Sequence, residues 1–133
     1  MDETWAYEWI DNFTSAWRSA DAETYVELFT DDAVCLFDAH GPAIVGREAL
    51  RAYCRDTVEP NPLLDMKWGR ILVAGSQVAA EFWATMKHEG EEVTLPGALM
   101  MHFGGGGRCD RLRRYSTLKA GHHEPPPEWQ QES

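Results

Sequence analysis

The fold is decided by four stretches of the sequence: LDMKWGRILVA (residues 64–74), VAAEFWATMKH (78–88), VTLPGALMMHF (93–103) and CDRLRRYSTL (109–118). Each has the length and the apolar, β-branched and aromatic content of a long strand. Short polar or glycine-rich segments separate them, and glycine permits the positive φ that tight turns require. The second half of the chain is therefore predicted to be an antiparallel meander.

Working back toward the N-terminus, the apolar period changes from two residues to between three and five. A helix is predicted over residues 5–20, and its large apolar side chains share one face: Trp5, Trp9, Ile10, Phe13 and Trp17. Asp21 is a suitable cap for a second, short helix. Residues 33–37 form a strand candidate, and a third helix is predicted over residues 47–57, before Pro60. The predicted fold class is α+β, with three N-terminal helices packed on a curved antiparallel sheet.

Composition limits the classes of function. A chain of 133 residues with 44% hydrophobic and 26% charged residues fits one globular domain, predicted over residues 1–120, followed by a flexible proline-rich tail over residues 121–133. The net charge of -10 disfavours nucleic acid and membrane surfaces as partners. The acidic N-terminus is unlike a secretory signal, so we expect a cytoplasmic protein. The three cysteines are too few and too far apart for a disulfide framework.

Several short motifs resemble one known family. They are Ser19-Ala20-Asp21, the run LFTDDAV at residues 28–34, Gly46 followed by REALRAY at residues 47–53, and Leu112-Arg113-Arg114-Tyr115 after the glycine turn. Together they resemble SnoaL-like and ketosteroid-isomerase-like proteins of the nuclear-transport-factor-2-like superfamily, over roughly residues 5–120. The resemblance implies a conical cavity between helices and sheet and a homodimer through the outer sheet face. It also implies isomerase, cyclase, dehydratase or purely binding functions.

The resemblance also allows a test of one mechanism, because the ketosteroid isomerases align with almost no gaps. Where that family has its oxyanion-binding tyrosine, its general-base aspartate and its protonated aspartate, this chain has Phe13, Phe37 and Leu99. An enolate formed here would lack that base and those hydrogen-bond donors. Steroid isomerisation by the Tyr-Asp-Asp mechanism is therefore not expected.

Strand alternation predicts which side chains face the cavity. The expected substrate-binding residues are Phe13, Trp17, Phe37, Tyr53, Phe82, Met86, Leu99, Met101 and Ser116. Most of these are apolar, which fits a hydrophobic or aromatic ligand. The same set would equally fit a core filled by its own side chains.

Four residues are candidates for catalysis. Arg114 is predicted to face the cavity, where its guanidinium would anchor a carboxylate, phenolate or enolate, unless a bulge turns it to the surface. Asp38 is a candidate general base and His40 a candidate proton shuttle, although both fit an ordinary turn before Gly41-Pro42. His102 would enter the cavity only if the strand phase were shifted by one residue; otherwise it lies on the outer face with Trp83, Met100 and Tyr115.

These residues favour a cofactor-independent isomerase, cyclase or dehydratase of the SnoaL-like group, acting on a hydrophobic, polyketide-like or aromatic substrate. The alternative is a non-catalytic dimeric module that binds a ligand or assembles partners with the same fold. We expect a hydrophobic small molecule and a second copy of the chain as partners. The pair His122-His123 lies in the tail and the four glycines lack the residues of a phosphate loop, so no metal or nucleotide cofactor is predicted.

Overall fold

The helices and strands lie close to their predicted positions in the computed structural model, which describes residues 3–129. Within this range three helices lie against one curved, seven-stranded sheet. The helices are α1 (Thr4–Ser19), α2 (Ala22–Val26) and α3 (Arg47–Tyr53). The strands are β1 (Phe29–Leu36), β2 (Ile44–Val45), β3 (Leu63–Ala74), β4 (Gln77–His88), β5 (Glu91–Phe103), β6 (Cys109–Ser116) and β7 (Lys119–Ala120). The predicted α+β class is confirmed.

The sheet is mixed, which corrects the prediction of an antiparallel sheet. Its order is β2-β1-β6-β5-β4-β3, with β7 paired to β5 beyond the end of β6. The pairs β3–β4, β4–β5 and β5–β6 are antiparallel as predicted, but β1 pairs with β6 in parallel. The backbone N–H of Cys109 also donates to the carbonyl of Leu28 at 3.0 Å. The two halves of the chain are thus joined side by side through β1 and β6.

Helix α1 supplies the largest part of the core. Its buried face repeats at three- and four-residue steps, as the sequence indicates: Ala6, Trp9, Ile10, Phe13, Ala16 and Trp17. The Trp9 ring stacks on Phe13 at 5.2 Å and meets Phe29 and Phe103 edge-on. The indole N–H of Trp9 donates to the carbonyl of Leu28, so its polar atom is satisfied inside the core.

Local signals place the two shorter helices. Asp21 caps α2 as predicted, because its carboxylate accepts hydrogen bonds from the backbone N–H groups of Glu23 and Thr24. Helix α3 begins after Gly46, whose φ of 86° favours glycine, and continues into a wider π-type turn over Cys54–Val58. These helices bring Tyr25 and Tyr53 over the concave face of the sheet.

Strand β5 is interrupted in its middle by Pro96-Gly97. Proline cannot donate to a sheet ladder, and glycine inside a strand marks a bend or a close backbone approach. Here a Cβ on Gly97 would lie only 2.3 Å from the carbonyl oxygen of Tyr115. After Ser116 the chain leaves β6, and the backbone N–H of Thr117 donates to the carbonyl of Pro96. The close approach of β6 to β5 therefore requires glycine at position 97.

The described part of the tail, residues 121–129, runs along the outer face of β4 and β5. Thr94 donates from its hydroxyl to the carbonyl of Gly121 and accepts from the backbone N–H of His123. The indole N–H of Trp83 donates to the carbonyl of His123 at 2.8 Å, and its ring meets Trp129 edge-on at 5.9 Å. One half of the outer face is thus covered by the chain itself, whereas the flexibility predicted for the tail stays a prediction.

An ionic clasp accompanies this contact. His122 lies between two carboxylates, with Nδ1 3.0 Å from Glu92 and Nε2 against Glu124, and Lys67 approaches Glu124. The hydrogen bond to Glu124 and the charges of both carboxylates raise the pKa of His122. The hydrogen bond from His122 and the charge of Lys67 lower the pKa of Glu124.

The clasp predicts a pH window for tail docking. The raised pKa of His122 contributes stability below about pH 6.5, and this stability is lost as the pH rises through the pKa of the folded state. The lowered pKa of Glu124 contributes stability above about pH 4.5, and this stability is lost as the pH falls through the pKa of the folded state. Docking should therefore be tightest at about pH 5.5. The indole N–H resonance of Trp83 should move away from its docked position between pH 5.5 and pH 8. This movement should be absent in His122→Gln, and an identical movement in that variant would contradict the clasp.

None of the helices within residues 3–129 combines the length and the apolar character needed to cross a membrane.

Candidate functional site

A cavity of about 140 Å³ lies between the helices and the concave face of the sheet. Every helix and the strands β4, β5 and β6 contribute to its wall. The lining residues are Phe13, Trp17, Tyr25, Phe37, Tyr53, Thr57, Val58, Asn61, Met86, His88, Leu95, Leu99, Arg114 and Leu118. A dry cavity of about this volume holds one benzene-sized ring. We call this space the aromatic cavity.

Arg114 is the charged group in the wall of the cavity. Its guanidinium carbon lies 5.6 Å from the centre of the Phe37 ring, and Phe37 in turn stacks on Tyr53 at 4.4 Å with the rings 6° from parallel. None of the ion pairs within residues 3–129 includes Arg114. Within the same residues, its buried Nε has no hydrogen-bond partner. A half-buried guanidinium whose Nε is out of contact with water and unbonded is costly to fold, and its charge attracts an anion.

Two tyrosines, Tyr25 and Tyr53, line the aromatic cavity close to Arg114. Burial raises the pKa of Tyr25 well above its usual range, and the neighbouring Tyr53 adds to the effect. Burial also raises the pKa of Tyr53, although the charge and a hydrogen bond of Arg114 oppose this shift. Both phenols therefore keep their protons at neutral pH and can donate hydrogen bonds. Together with the guanidinium they suit an oxygen that carries negative charge.

His88 also lines the cavity, and with its side chain 44% exposed it marks the mouth, where the cavity opens to solvent. It is the last residue of β4, and its Nε2 is 3.1 Å from a carboxylate oxygen of Glu89. Glu89 and Gly90 both have positive φ, which is the geometry of a two-residue hairpin turn. Asn61 fixes this turn to the π-type turn after α3, because its side chain accepts from the backbone N–H of Glu89 and donates to the carbonyl of Thr57. The imidazole is thus held at the cavity mouth by the turn and by Asn61.

Six of the nine expected ligand-binding residues line the cavity: Phe13, Trp17, Phe37, Tyr53, Met86 and Leu99. Of the others, Phe82 and Met101 are buried in the core behind the cavity wall, and Ser116 is exposed at the end of β6. Among the catalytic candidates, Arg114 lines the cavity. The apolar residues at the three ketosteroid-isomerase positions are all part of the wall.

The other catalytic candidates lie elsewhere. Asp38 and His40 are exposed in the turn after β1, where the Asp38 carboxylate accepts the backbone N–H of His40 at 2.9 Å. This is the turn geometry that an aspartate before Gly41-Pro42 suggests. His102 lies on the outer face of β5 and bonds to Asp110 and Ser76. The structure therefore does not bring these three residues to the aromatic cavity.

Sequence reasoning missed Tyr25 and His88. Tyr25 lies on the buried, apolar face of α2, and nothing in the local sequence distinguishes a core tyrosine from one that lines a cavity. His88 had a signal, because the alternation that places Phe82, Ala84 and Met86 inward continues to position 88. Its place beside the Glu89-Gly90 turn hid that signal.

The cysteines are poor candidates for nucleophiles. Cys35, Cys54 and Cys109 are free and buried, and burial raises the pKa of each, that of Cys109 to about 12. A thiol in this state carries little reactive thiolate. Among the residues that the structure describes, no group of three or more His, Cys, Asp or Glu side chains is placed to hold a metal ion.

Comparison with known proteins gives the family and the fold. The model of the SnoaL-like domain matches residues 10–112. No curated protein sequence matches the chain. Among solved structures, the fold is similar to SalBIII, an epoxide hydrolase/cyclase-like enzyme in pyran ring formation of the polyether salinomycin. The identity is 19% and the TM-score 0.78, over 90% of this chain and 98% of that chain.

Two further structures are similar at the level of fold. RV0760c from Mycobacterium tuberculosis is 16% identical with a TM-score of 0.76, over 90% of this chain and 99% of that chain. A protein from Catenulispora acidiphila with a ketosteroid isomerase-like fold, solved in complex with trimethylamine, is 19% identical with a TM-score of 0.72. That match covers 81% of this chain and 84% of the other.

Proposed function

The chain belongs to the SnoaL-like domain family. We therefore propose that it is a cofactor-independent enzyme that catalyses the isomerisation, cyclisation or elimination of a small hydrophobic substrate. One observation carries the proposal: Arg114 lines the aromatic cavity, and within residues 3–129 it has no carboxylate partner and its buried Nε has no hydrogen-bond partner. Such an arrangement costs stability and is expected where a ligand supplies the missing anion.

Arg114 is the proposed anchor for negative charge. Its guanidinium supplies the proposed hydrogen-bond donors to an oxyanion in the cavity, and the phenols of Tyr25 and Tyr53 offer further donors. In a water-poor cavity, fixed donors of this kind stabilise an enolate or phenolate more than a neutral carbonyl. This difference between ground state and transition state is what lowers a barrier. Arg114, Tyr25 and Tyr53 would thus stabilise the oxyanion. The ketosteroid isomerases do this with a tyrosine and a protonated aspartate, where this chain has Phe13 and Leu99.

His88 is the proposed proton carrier. It lines the mouth of the cavity beside Glu89, whereas Asp38 and His40 lie in a turn outside the lining. An imidazole that can exchange protons with solvent on one side and with a ligand on the other suits general acid–base work. We therefore assign the proton transfer to His88 in preference to the residues expected from the sequence.

The volume of the aromatic cavity narrows the substrate. About 140 Å³ accommodates a single ring, so we propose a monocyclic, acidic or enolisable substrate rather than a multi-ring polyketide or steroid. A longer substrate would extend from the mouth past His88. The fold likeness to SalBIII, an epoxide hydrolase/cyclase-like enzyme, supports ring-forming chemistry within this range.

Phenylpyruvate tests the proposal, because it combines one ring, a carboxylate and an enolisable carbon. In D₂O the protein should accelerate exchange of the C3 protons, followed by NMR, over the rate in buffer alone. The variant His88→Gln should lose about 10²-fold or more of this acceleration, since it lacks the proton carrier. His122→Gln is the matched control, because His122 lies in the tail clasp and should leave the rate unchanged. Exchange no faster than in buffer would contradict the enzyme assignment.

The competing function is a non-catalytic binding module, and the apolar residues Phe13, Phe37 and Leu99 at the isomerase positions favour it. That function predicts that phenylpyruvate binds to the protein while its C3 protons exchange no faster than in buffer.

For either function we propose a homodimer through the half of the outer sheet face that the tail leaves open. This uncovered face presents Val34, Leu36, Leu72 and Met100, of which Leu72 is 58% and Met100 45% exposed. A molar mass of two chains by light scattering would support this arrangement.

A further inference from the structure

A second group of reactive side chains lies at the far end of the sheet from the cavity mouth. His102 Nδ1 is 2.6 Å from a carboxylate oxygen of Asp110, and its Nε2 is 3.3 Å from the hydroxyl oxygen of Ser76. A carboxylate can only accept a hydrogen bond, so Nδ1 carries the proton and Nε2 is left to accept from Ser76. This is the order of contacts, carboxylate to imidazole to hydroxyl, that activates a serine nucleophile.

The backbone holds all three residues in place. Ser76 follows Gly75, whose φ is 63°, in the turn between β3 and β4, and its carbonyl accepts the backbone N–H of Phe103 at 2.8 Å. In the adjoining ladder, Gln77 pairs directly with His102. This pairing and the bond from Phe103 together place the Ser76 hydroxyl beside His102.

Asp110 is placed by an irregularity in the ladder. His102 pairs with Arg111 and Phe103 pairs with Cys109, which leaves Asp110 as an extra residue on β6. A bulge of this kind re-aims a side chain, and bulges are frequent beside active sites. Here it directs the Asp110 carboxylate to the imidazole.

A groove of about 330 Å³ adjoins the serine. It is lined by Trp5, Gly75, Ser76, Phe103, Gly104 and Gly107, and the rings of Trp5 and Phe103 meet edge-on at 5.0 Å. The glycines leave the walls bare of side chains, and the two aromatic rings offer an apolar surface. A small acyl or aryl group fits such a space.

We propose that Ser76, His102 and Asp110 form a second site, which hydrolyses small carboxylic esters. The Ser76 oxygen bonds to the ester carbonyl carbon while its proton passes to His102 Nε2. The bond from this carbon to the alkoxy oxygen then breaks, and the proton leaves with the alcohol. Water attacks the acyl-serine in the same way, releases the carboxylic acid and restores the serine. Asp110 is a positioning residue, since it holds the imidazole in the tautomer that accepts the serine proton.

The site is separate from the proposed function of the aromatic cavity. His102 lies on the outer face, and none of Ser76, His102 and Asp110 lines that cavity. Failure of phenylpyruvate exchange would therefore leave this proposal standing, and the reverse also holds.

The first test measures p-nitrophenyl acetate hydrolysis by the full chain, and the second measures labelling by a fluorophosphonate, located by peptide mass spectrometry. Ser76→Ala should lower the enzymatic rate by about 10²-fold or more and abolish the label. Asp110→Asn should lower the rate and slow labelling while Ser76 remains present. Ser15→Ala, which changes an exposed serine on α1, is the matched control. Labelling that avoids Ser76, or that is equally fast in Asp110→Asn, would overturn the proposal.

Discussion

Replacing Arg114 by glutamine should reduce catalysed exchange on phenylpyruvate by about 10²- to 10³-fold, the usual cost of removing one donor to a developing oxyanion. The reason is geometric, because the guanidinium carbon lies 5.6 Å from the centre of the Phe37 ring and Arg114 lines the cavity in which the anion would bind. Arg114→Lys keeps the charge but loses the fork of donors, so it should recover only part of the rate. Steady-state exchange rates and ligand affinity by calorimetry would measure both effects.

Stability should respond in the opposite sense. The buried Nε of Arg114 has no hydrogen-bond partner within residues 3–129, so removing the guanidinium relieves a desolvation cost. The thermal midpoint of Arg114→Gln should therefore equal or exceed that of the native chain. Arg113→Gln is the matched control, since Arg113 is exposed on the neighbouring position of β6. A lower thermal midpoint of Arg114→Gln with unchanged ligand affinity would show that the arginine stabilises the fold and does not bind the ligand.

Replacing Gly97 by alanine should be the most destabilising single methyl addition in the sheet. The new Cβ would stand 2.3 Å from the Tyr115 carbonyl oxygen and 2.7 Å from the Ser116 Cβ. The carbonyl is backbone, so relief requires β6 to move away from β5 and weakens the bond from Thr117 to Pro96. Overpacking of this kind costs about 3 kcal/mol, which corresponds to a fall of about 10 °C in the thermal midpoint.

The matched control for this change is Gly105→Ala. A Cβ on Gly105 would meet no atom within 4 Å, and its φ is not positive. Thermal unfolding followed by circular dichroism would compare the two variants. Equal midpoints would mean that β6 can shift at little cost, and that the bend at Pro96-Gly97 does not fix the cavity wall.

Much of the fold could be predicted because its signals are local. The three- and four-residue period of α1, the cap at Asp21 and the glycine turns each act within a few residues. The parallel pairing of β1 with β6 could not be predicted in this way. It joins segments far apart in the chain, and the apolar side chains of β1 would suit an antiparallel neighbour equally well.

In the candidate site, too, the positions that follow a regular local pattern could be predicted from the sequence, and the others could not. Alternation on β4, β5 and β6 predicts that Met86, Leu99 and Arg114 face inward, and all three line the aromatic cavity. It misled at Ser116, because β6 ends there and the chain turns toward β7. It could not indicate that Asp110 turns toward His102, since a bulge breaks the two-residue period on which the reasoning depends.

The parallel pairing has a consequence for synthesis of the protein. As the chain leaves the ribosome, α1, α2 and β1 emerge first, but β6, the strand that covers one edge of β1, is made only after β2, β3, β4 and β5. Until then the nascent chain carries an unpaired strand edge and the exposed aromatic face of α1, which are features that chaperones bind. Folding of the domain is thus delayed until β6 has been translated, so a chain truncated before Cys109 should be a target for degradation.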